Sequence, residues 1–338
     1  MITIKEIAKL AGVSAKTAER ALSGVTKDKR RDARIRAERV RQIAREHGYQ
    51  PNEAALILRR GRSGIIGMVV DVLTDQFLAA AVETAITEAA RAGYRISLQI
   101  VRFDPEKTYE AFKNLLAAGA EGIITTCASE HLPETLMNSL AGKNFPVFTL
   151  CGKSRYGFSS AAPDYSAALP EALKELKRFN HRQVTFCLFK GKDIDNKRAE
   201  TTFRESCRQL GIEADFRIHY DRMQAEKLAD EKLPAVILYG KYSMRIFLDR
   251  CAALRWEPDV IGIYNEWTLA AAQNFALRGI ILENARESVA LAVKQIVEEV
   301  DGGGKVCDHK LLARFVPETE FHALQVANLA NQFLPETE

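Results

Sequence analysis

The 338 residues, 47% hydrophobic and 27% charged, are enough for two or three globular cores. No apolar run reaches the roughly 18 residues of a membrane-spanning helix. The N-terminus MITIKEIAKL has neither the apolar stretch nor the cleavage site of a secretory leader, which predicts a cytoplasmic chain that does not enter membranes. The net charge of +4 hides an asymmetry: residues 1–62 hold 16 Lys and Arg against 7 Asp and Glu, net +9, and the remainder holds 32 against 37, net −5. A basic module on an acidic one is the footprint of a chain that touches phosphate through its first segment alone; the alternative is a basic face that only meets water. The six cysteines, at 127, 151, 187, 207, 251 and 307, stand singly, without CxxC or histidine pairing. They read as reduced, mostly buried small apolar residues rather than a zinc site or a disulfide framework.

Thr3 can cap a first helix whose apolar positions Ile4, Ile7, Ala8, Leu10 and Ala11 recur at helical spacing before Gly12 breaks it. Ser14 caps a second, Ala15 to Ser23, with Ala18, Ala21 and Leu22 inward and Ala15, Lys16, Glu19 and Arg20 outward. Two short helices joined by a glycine-containing turn make a helix-turn-helix, whose second helix enters the DNA major groove. A third helix, about Arg31 to His47, offers Ile35, Val40, Ile43 and Ala44 to the core and stops at Gly48. After Pro51, Asn52 caps a two-turn helix through Leu58, too short to be stable alone, and Arg59, Arg60 and Arg62 follow as a basic linker.

From Gly64 onward, apolar strand-like runs alternate with helical segments, the pattern of parallel sheets with crossover helices. IIGMVV, RISLQIV, EGIITT and PVFTLC form a first set, with helices from about Phe77 to Arg91, Pro105 to Ala118 and Leu132 to Gly142. QVTFCLF, DFRIHY, PAVILY and DVIGIY form a second, with helices Tyr165 to Arg178, Lys197 to Leu210, Ala225 to Glu231, Met244 to Leu254 and Trp267 to Arg278. A helix Arg286 to Val300 and the strand HKLLARFV return to the first lobe. Two such lobes imply a cleft that closes on a small ligand. No cofactor or catalytic motif interrupts this pattern: there is no GxGxxG after the first strand, no Walker motif and no GxSxG, and Gly302-Gly303-Gly304-Lys305 follows a helix as a turn.

The stretches TIKEIAKLAGVSAKTAERALSG and REHGYQPNEAALILRRGRSGIIGMVV resemble the headpiece and hinge of the lactose-repressor/galactose-repressor family of bacterial transcriptional regulators. The resemblance implies an all-α helix-turn-helix headpiece (1–50), a hinge helix and linker (51–63), and an α/β two-lobed periplasmic-binding-protein-like domain (64–338). Within the last, lobe one spans about 64–160 and 285–320, and lobe two about 161–284 with the C-terminal tail. It puts Ala15, Lys16 and Arg20 on base edges, and in the hinge it makes Leu58 a minor-groove wedge, with Ala55 allowing two hinge helices to approach beside Asn52. Lys and Arg donate to guanine O6 and N7, whereas Ala15 offers contact to a thymine methyl. Thr3, Ser14, Thr17, Lys27, Lys29, Arg30 and Arg31 are either phosphate contacts or, respectively, caps and solvated charges. Glu19, Ala21 and a longer, more basic loop, VTKDKRRDARIRAE, depart from the family pattern.

For the cleft, the resemblance points to Asp75, Phe77, Arg198 and Asn265 as effector contacts, and the aromatic ring of Tyr239 makes it a further candidate. Asn265, Cys151 and the Lys241 segment GKYSM replace acidic or amide residues of sugar sensors, while Tyr239 and Trp267 either stack on a ligand ring or pack in the core. The expected partners are double-stranded operator DNA, a second copy of the chain in a homodimer or a tetramer, and a small-molecule effector such as a carbohydrate. The competing reading is a cytoplasmic solute-binding or catalytic protein with a vestigial headpiece.

Overall fold

The computed structural model describes residues 2–22, 31–49, 61–127, 132–150, 152, 154, 156–189, 193–219, 222–272, 275–321 and 323–324. The chain divides into two compact units, 1–63 and 64–338.

The first unit holds α1 (Ile4–Ala11), α2 (Ala15–Leu22) and α3 (Arg31–Glu46). Thr3 and Glu6 cap each other at the start of α1: the Thr3 amide donates to Glu6 at 2.8 Å, and the Glu6 amide to the Thr3 hydroxyl at 3.4 Å. Gly12, at φ 66°, supplies the left-handed residue that ends α1, and Ser14 Oγ accepts the Thr17 amide at 3.1 Å to start α2. The core is Ile7, Ala8, Ala11, Ala18, Ala21, Ala37, Val40 and Ala44, small enough for three helices to pack closely. Two expected members are outside it. Ile35 is 59% exposed and Leu10 49% exposed. The α3 stripe runs through Ala37, Val40 and Ala44, and two positions back from Ala37 is about 200° around the helix, so Ile35 faces out.

The second unit contains two six-stranded sheets. The first is built from β1 (Ile65–Val70), α4 (Gln76–Arg91), β2 (Arg95–Ile100), α5 (Pro105–Ala117), β3 (Gly122–Thr125), α6 (Glu134–Gly142), β4 (Val147–Thr149) and β5 (Ser159–Asp164). The second uses α7 (Ala168–Arg178), β6 (Gln183–Phe189), α8 (Asp193–Leu210), β7 (Glu213–His219), α9 (Arg222–Asp230), β8 (Ala235–Tyr239), α10 (Lys241–Ala253), β9 (Asp259–Asn265) and β10 (Gly279–Glu283). The chain then returns through α11 (Ala285–Val300) and β11 (Asp308–Leu312) to the first sheet, and ends on β12 (Arg314–Pro317) in the second. The sheet orders are β11-β5-β4-β3-β1-β2 and β12-β10-β9-β8-β6-β7, parallel except for the β10–β12 pair. Side-chain alternation feeds both faces: Met68 and Val70 join α4 and α11 on one side, and Val69 joins α5 and α6 on the other. In the second sheet, Phe186 meets Phe203 and Phe216 at ring-centroid distances of 5.2 and 5.5 Å. Cys127, Cys187, Cys207 and Cys251 are buried thiols outside any disulfide, and burial pushes the Cys207 thiol up to about 12; Cys307 is exposed.

Several expectations about the lobes need correction. The first crossing lies after Asp164, not at residue 160, because the segment 159–164 pairs with β4 and β11. HKLLARFV is two strands: Ala313 breaks it, donating its amide to Asp164 O at 2.9 Å, and only β11 stays with the first sheet. The expected helix Trp267–Arg278 shrinks, among the described residues, to a 3-10 turn at Leu269–Ala272, followed by the unanticipated strand β10.

At the N-terminal end of β9, Asp259 Oδ1 accepts from Arg278 Nε and Oδ2 lies against His181 Nε2, both at 2.6 Å, while the Arg278 guanidinium covers the Phe179 ring at 4.1 Å. Burial opposes ionisation of Asp259, but the hydrogen bonds from His181 and Arg278 and their charges outweigh it and hold its carboxyl below the usual range. A carboxyl depressed by folding stabilises fully above its unfolded value, about pH 4, and loses that contribution as the pH falls through the folded value. Urea midpoints should therefore fall more steeply below pH 4 in the wild type than in Asp259→Asn; parallel curves would assign the network no role.

Candidate nucleic-acid interface and interlobe cleft

On the first unit, Ala15, Lys16, Thr17 and Arg20 are exposed on one side of α2, while Ala18 and Ala21 are buried. Lys16 and Arg20 are one turn apart, so both cations project from the same face. The carbonyl end of α2 is held by Arg41, whose Nε donates to Ala21 O at 3.2 Å. Thr3 and Ser14 are both occupied as caps, and Ser14 Oγ also lies 2.8 Å from Thr17 Oγ1. The Glu6 carboxyl is kept below its usual range by the hydrogen bonds from the Thr3 amide and hydroxyl.

Arg31 is exposed, and Arg34, Arg36 and Arg39 extend the same exposed basic run along α3. None of these four makes an ion pair among the described residues, whereas Glu38 pairs with Arg41 and Arg45 at 3.1 and 3.0 Å. The reading of individual sequence positions missed Arg34, Arg36 and Arg39; their signal was the basic composition of the loop and helix start. Lys27, Lys29, Arg30, Asn52, Ala55 and Leu58 lie outside the described residues.

In the second unit, a cavity of about 240 Å³ opens between the two sheets and brings together Asp75, Phe77, Tyr239 and Asn265. Asp75 Oδ1 caps α4, accepting from the amides of Phe77 at 2.9 Å and Leu78 at 3.3 Å. Its Oδ2 faces Lys241 Nζ from the opposite lobe at 3.3 Å. Asn265 Oδ1 accepts from the amides of Trp267 and Thr268 at 3.1 and 3.0 Å. Glu283 accepts from the Tyr165 hydroxyl at 2.5 Å.

Arg198 is not in this cavity. It pairs with Asp164 where the chain crosses between lobes, and the carboxyl of Asp164, despite burial, is held low by hydrogen bonds from Ser166 and by the Arg198 charge. Nor is Trp267 a free stacking platform. It is 5% exposed, meets Phe77 at 5.8 Å between ring centroids, and packs with Ala285 and Val289 in the core of the first lobe. Lys241, noted in the sequence only as a departure from the sugar-sensor pattern, lines the cavity too, as do Tyr264, Thr268 and Glu283, which the position-by-position reading passed over. Cys151 lies outside the described residues.

A profile described as "Bacterial regulatory proteins, lacI family" matches residues 3–52, and one described as "Periplasmic binding proteins and sugar binding domain of LacI family" matches residues 63–232. The chain belongs to the lacI family. This lacI-family chain is 35% identical over 147 residues to the sucrose operon repressor of Klebsiella pneumoniae, covering 40% of the chain and 44% of that protein. It is 33% identical over 128 residues to the ribitol operon repressor of Klebsiella aerogenes, covering 38% and 47%. The matched stretches thus span about half the length of the curated relatives, or less. In fold, it resembles the lac repressor dimer bound to operator and the anti-inducer ONPF, at TM-score 0.73 and 17% identity, covering 93% of this chain and 97% of that one. The trehalose repressor from Escherichia coli gives TM-score 0.62 at 15% identity over 75% and 99%. The lacI family is one of regulatory proteins, so the catalytic alternative falls away. No described helix is long and apolar enough to cross a membrane.

Proposed function

We propose that this lacI-family chain is a transcriptional repressor that binds a near-palindromic operator as a homodimer and answers to a small molecule in the interlobe cleft. The observation that carries the reading is the exposed Lys16–Arg20 face of α2, the second helix of a helix-turn-helix inside the matched lacI segment. Ala15, Lys16 and Arg20 read base edges. Arg31, with Lys27, Lys29 and Arg30 of the loop before it, adds sequence-neutral phosphate affinity, and Thr3, Ser14 and Thr17 lie along the backbone. Asn52 starts a hinge helix in which Ala55 permits close pairing with the partner's hinge, and Leu58 wedges a central base step from the minor groove. Two-fold symmetry of the protein matches two half-sites. Asp75, Phe77, Tyr239 and Asn265 form the effector surface. Closure of the lobes around a ligand changes the spacing of the paired headpieces and hence the DNA affinity.

Selection of bound duplexes from a random pool by the full-length protein, in moderate salt, tests this. A palindromic motif with a deformable pyrimidine–purine step at its centre is expected. Enrichment of no motif, or of a single unpaired half-site, overturns it.

A further inference from the structure

The polar groups lining the cleft are unevenly spent. Its carboxylates are engaged: Asp75 with two helix amides and Lys241, and Glu283 with the Tyr165 hydroxyl. The Asn265 carbonyl oxygen is taken by two backbone amides, which leaves its side-chain nitrogen as a donor. Among the described lining residues Lys241 is the only cation, and its ammonium has three donors, of which Asp75 takes one. Lys241 is also the first residue of the 13-residue α10, which has no side-chain cap and no acid in its first turn. Its leading amides therefore add partial positive charge at the same place. Gly240, at φ 93°, carries no side chain between them and the cavity, and a Cβ there would meet nothing within 4 Å.

The second, independent observation is Asn265. It lines the same cavity, is 6% exposed, and its side-chain nitrogen donates to none of the described residues. A buried donor without an acceptor is costly, and a ligand oxygen relieves that cost. The Lys241 ammonium, the leading amides of α10 and the Asn265 nitrogen thus gather unspent donors at one end of the cleft. An oxyanion, which brings acceptors and no donors, suits that end better than a neutral polyol.

We propose that the N-terminus of α10, with Lys241 and Asn265, is an oxyanion subsite, and that the effector is a small metabolite carrying a carboxylate or phosphate. This rests on the reading of the cleft as the effector site. The volume of about 240 Å³ lies below the ~300–1,000 Å³ of drug-sized sites and suits a molecule no larger than a monosaccharide derivative.

The test uses the full-length protein in a Trp256→Phe background, so that Trp267, beside Phe77 of the cleft, reports ligand by fluorescence and phosphate on the basic headpiece stays silent. The probes are inorganic phosphate, gluconate, glucose 6-phosphate and glucose. The anionic probes are expected to bind and glucose to bind at least tenfold more weakly. Lys241→Met should weaken the anions tenfold or more, and Lys241→Arg should restore them. Asp75→Asn, which breaks the same ion pair but keeps the cation, should weaken the anions far less than Lys241→Met does. A tighter fit for gluconate or for glucose 6-phosphate assigns the anion as carboxylate or phosphate. Glucose binding as tightly as the anions, equal losses in Lys241→Met and Asp75→Asn, or no response to any anion overturns the subsite. Failure of DNA selection would instead overturn the repressor reading, whatever the probes do.

Discussion

Trp267→Ala is expected to destabilise the second unit by about 3–5 kcal/mol, the usual range for deleting a buried aromatic from a packed core. Trp267 follows β9, a strand of the second sheet, yet its indole is buried in the first lobe's core beside Phe77, Ala285 and Val289. The preceding residue makes the same crossing: Glu266 accepts from the amides of Ala285 and Arg286 at 3.0 and 2.5 Å, capping α11, which packs on the first sheet. One short turn therefore fastens the lobes together. Its loss should lower the urea midpoint sharply. A drop no larger than that of Trp256→Phe, at a tryptophan bonded within its own lobe to Leu233 O, would deny Trp267 this fastening role.

Arg20→Ala should reduce operator affinity by about 1–3 kcal/mol, roughly 5- to 150-fold, and relax the sequence requirement at one base position. Its guanidinium stands on the exposed face of α2 with Lys16, while Ala18 and Ala21 anchor the opposite face. Arg31→Ala, on α3, should instead weaken all sequences alike and lower the salt slope by about one unit. Competition binding at several salt concentrations with matched and mismatched duplexes separates the two. If both variants lost affinity evenly over all sequences, α2 would not be the reading helix.

The helix-turn-helix was legible because each signal is local: a Thr3–Glu6 cap, Gly12 in the left-handed region, and a three-residue turn to Ser14. The sheets' central strands were legible as apolar runs. What escaped depends on tertiary partners. The segment SSAAPD of β5 has no strand composition and owes its state to β4 and β11. The 267–278 segment has helical spacing, but Trp267 is claimed by another lobe's core and Asn265 bends the chain just before it. Ile35 looked like core by type, and only the phase of α3 around Val40 turns it outward. In the cleft, Asp75, Phe77, Tyr239 and Asn265 meet as anticipated from the resemblance. Arg198 does not, because Asp164 at the crossing captures it, and Lys241 stood out only as a departure from the sugar-sensor pattern because its partner Asp75 is distant in sequence.

Among the described residues of the three-helix unit, six of the eight buried apolar ones are alanines. Each buries about one methyl group, so cohesion there grows slowly with every contact, at about 0.8 kcal/mol per methylene-sized group against the 1–2 kcal/mol of backbone entropy per ordered residue. Such a unit has little thermal reserve. The second unit, with its aromatic and branched-aliphatic cores on both faces of two sheets, has far more. Warming is therefore expected to unfold the three-helix unit before the two-sheet unit, so that a chain working as proposed would let go of its operator on a rise in temperature without any ligand being present.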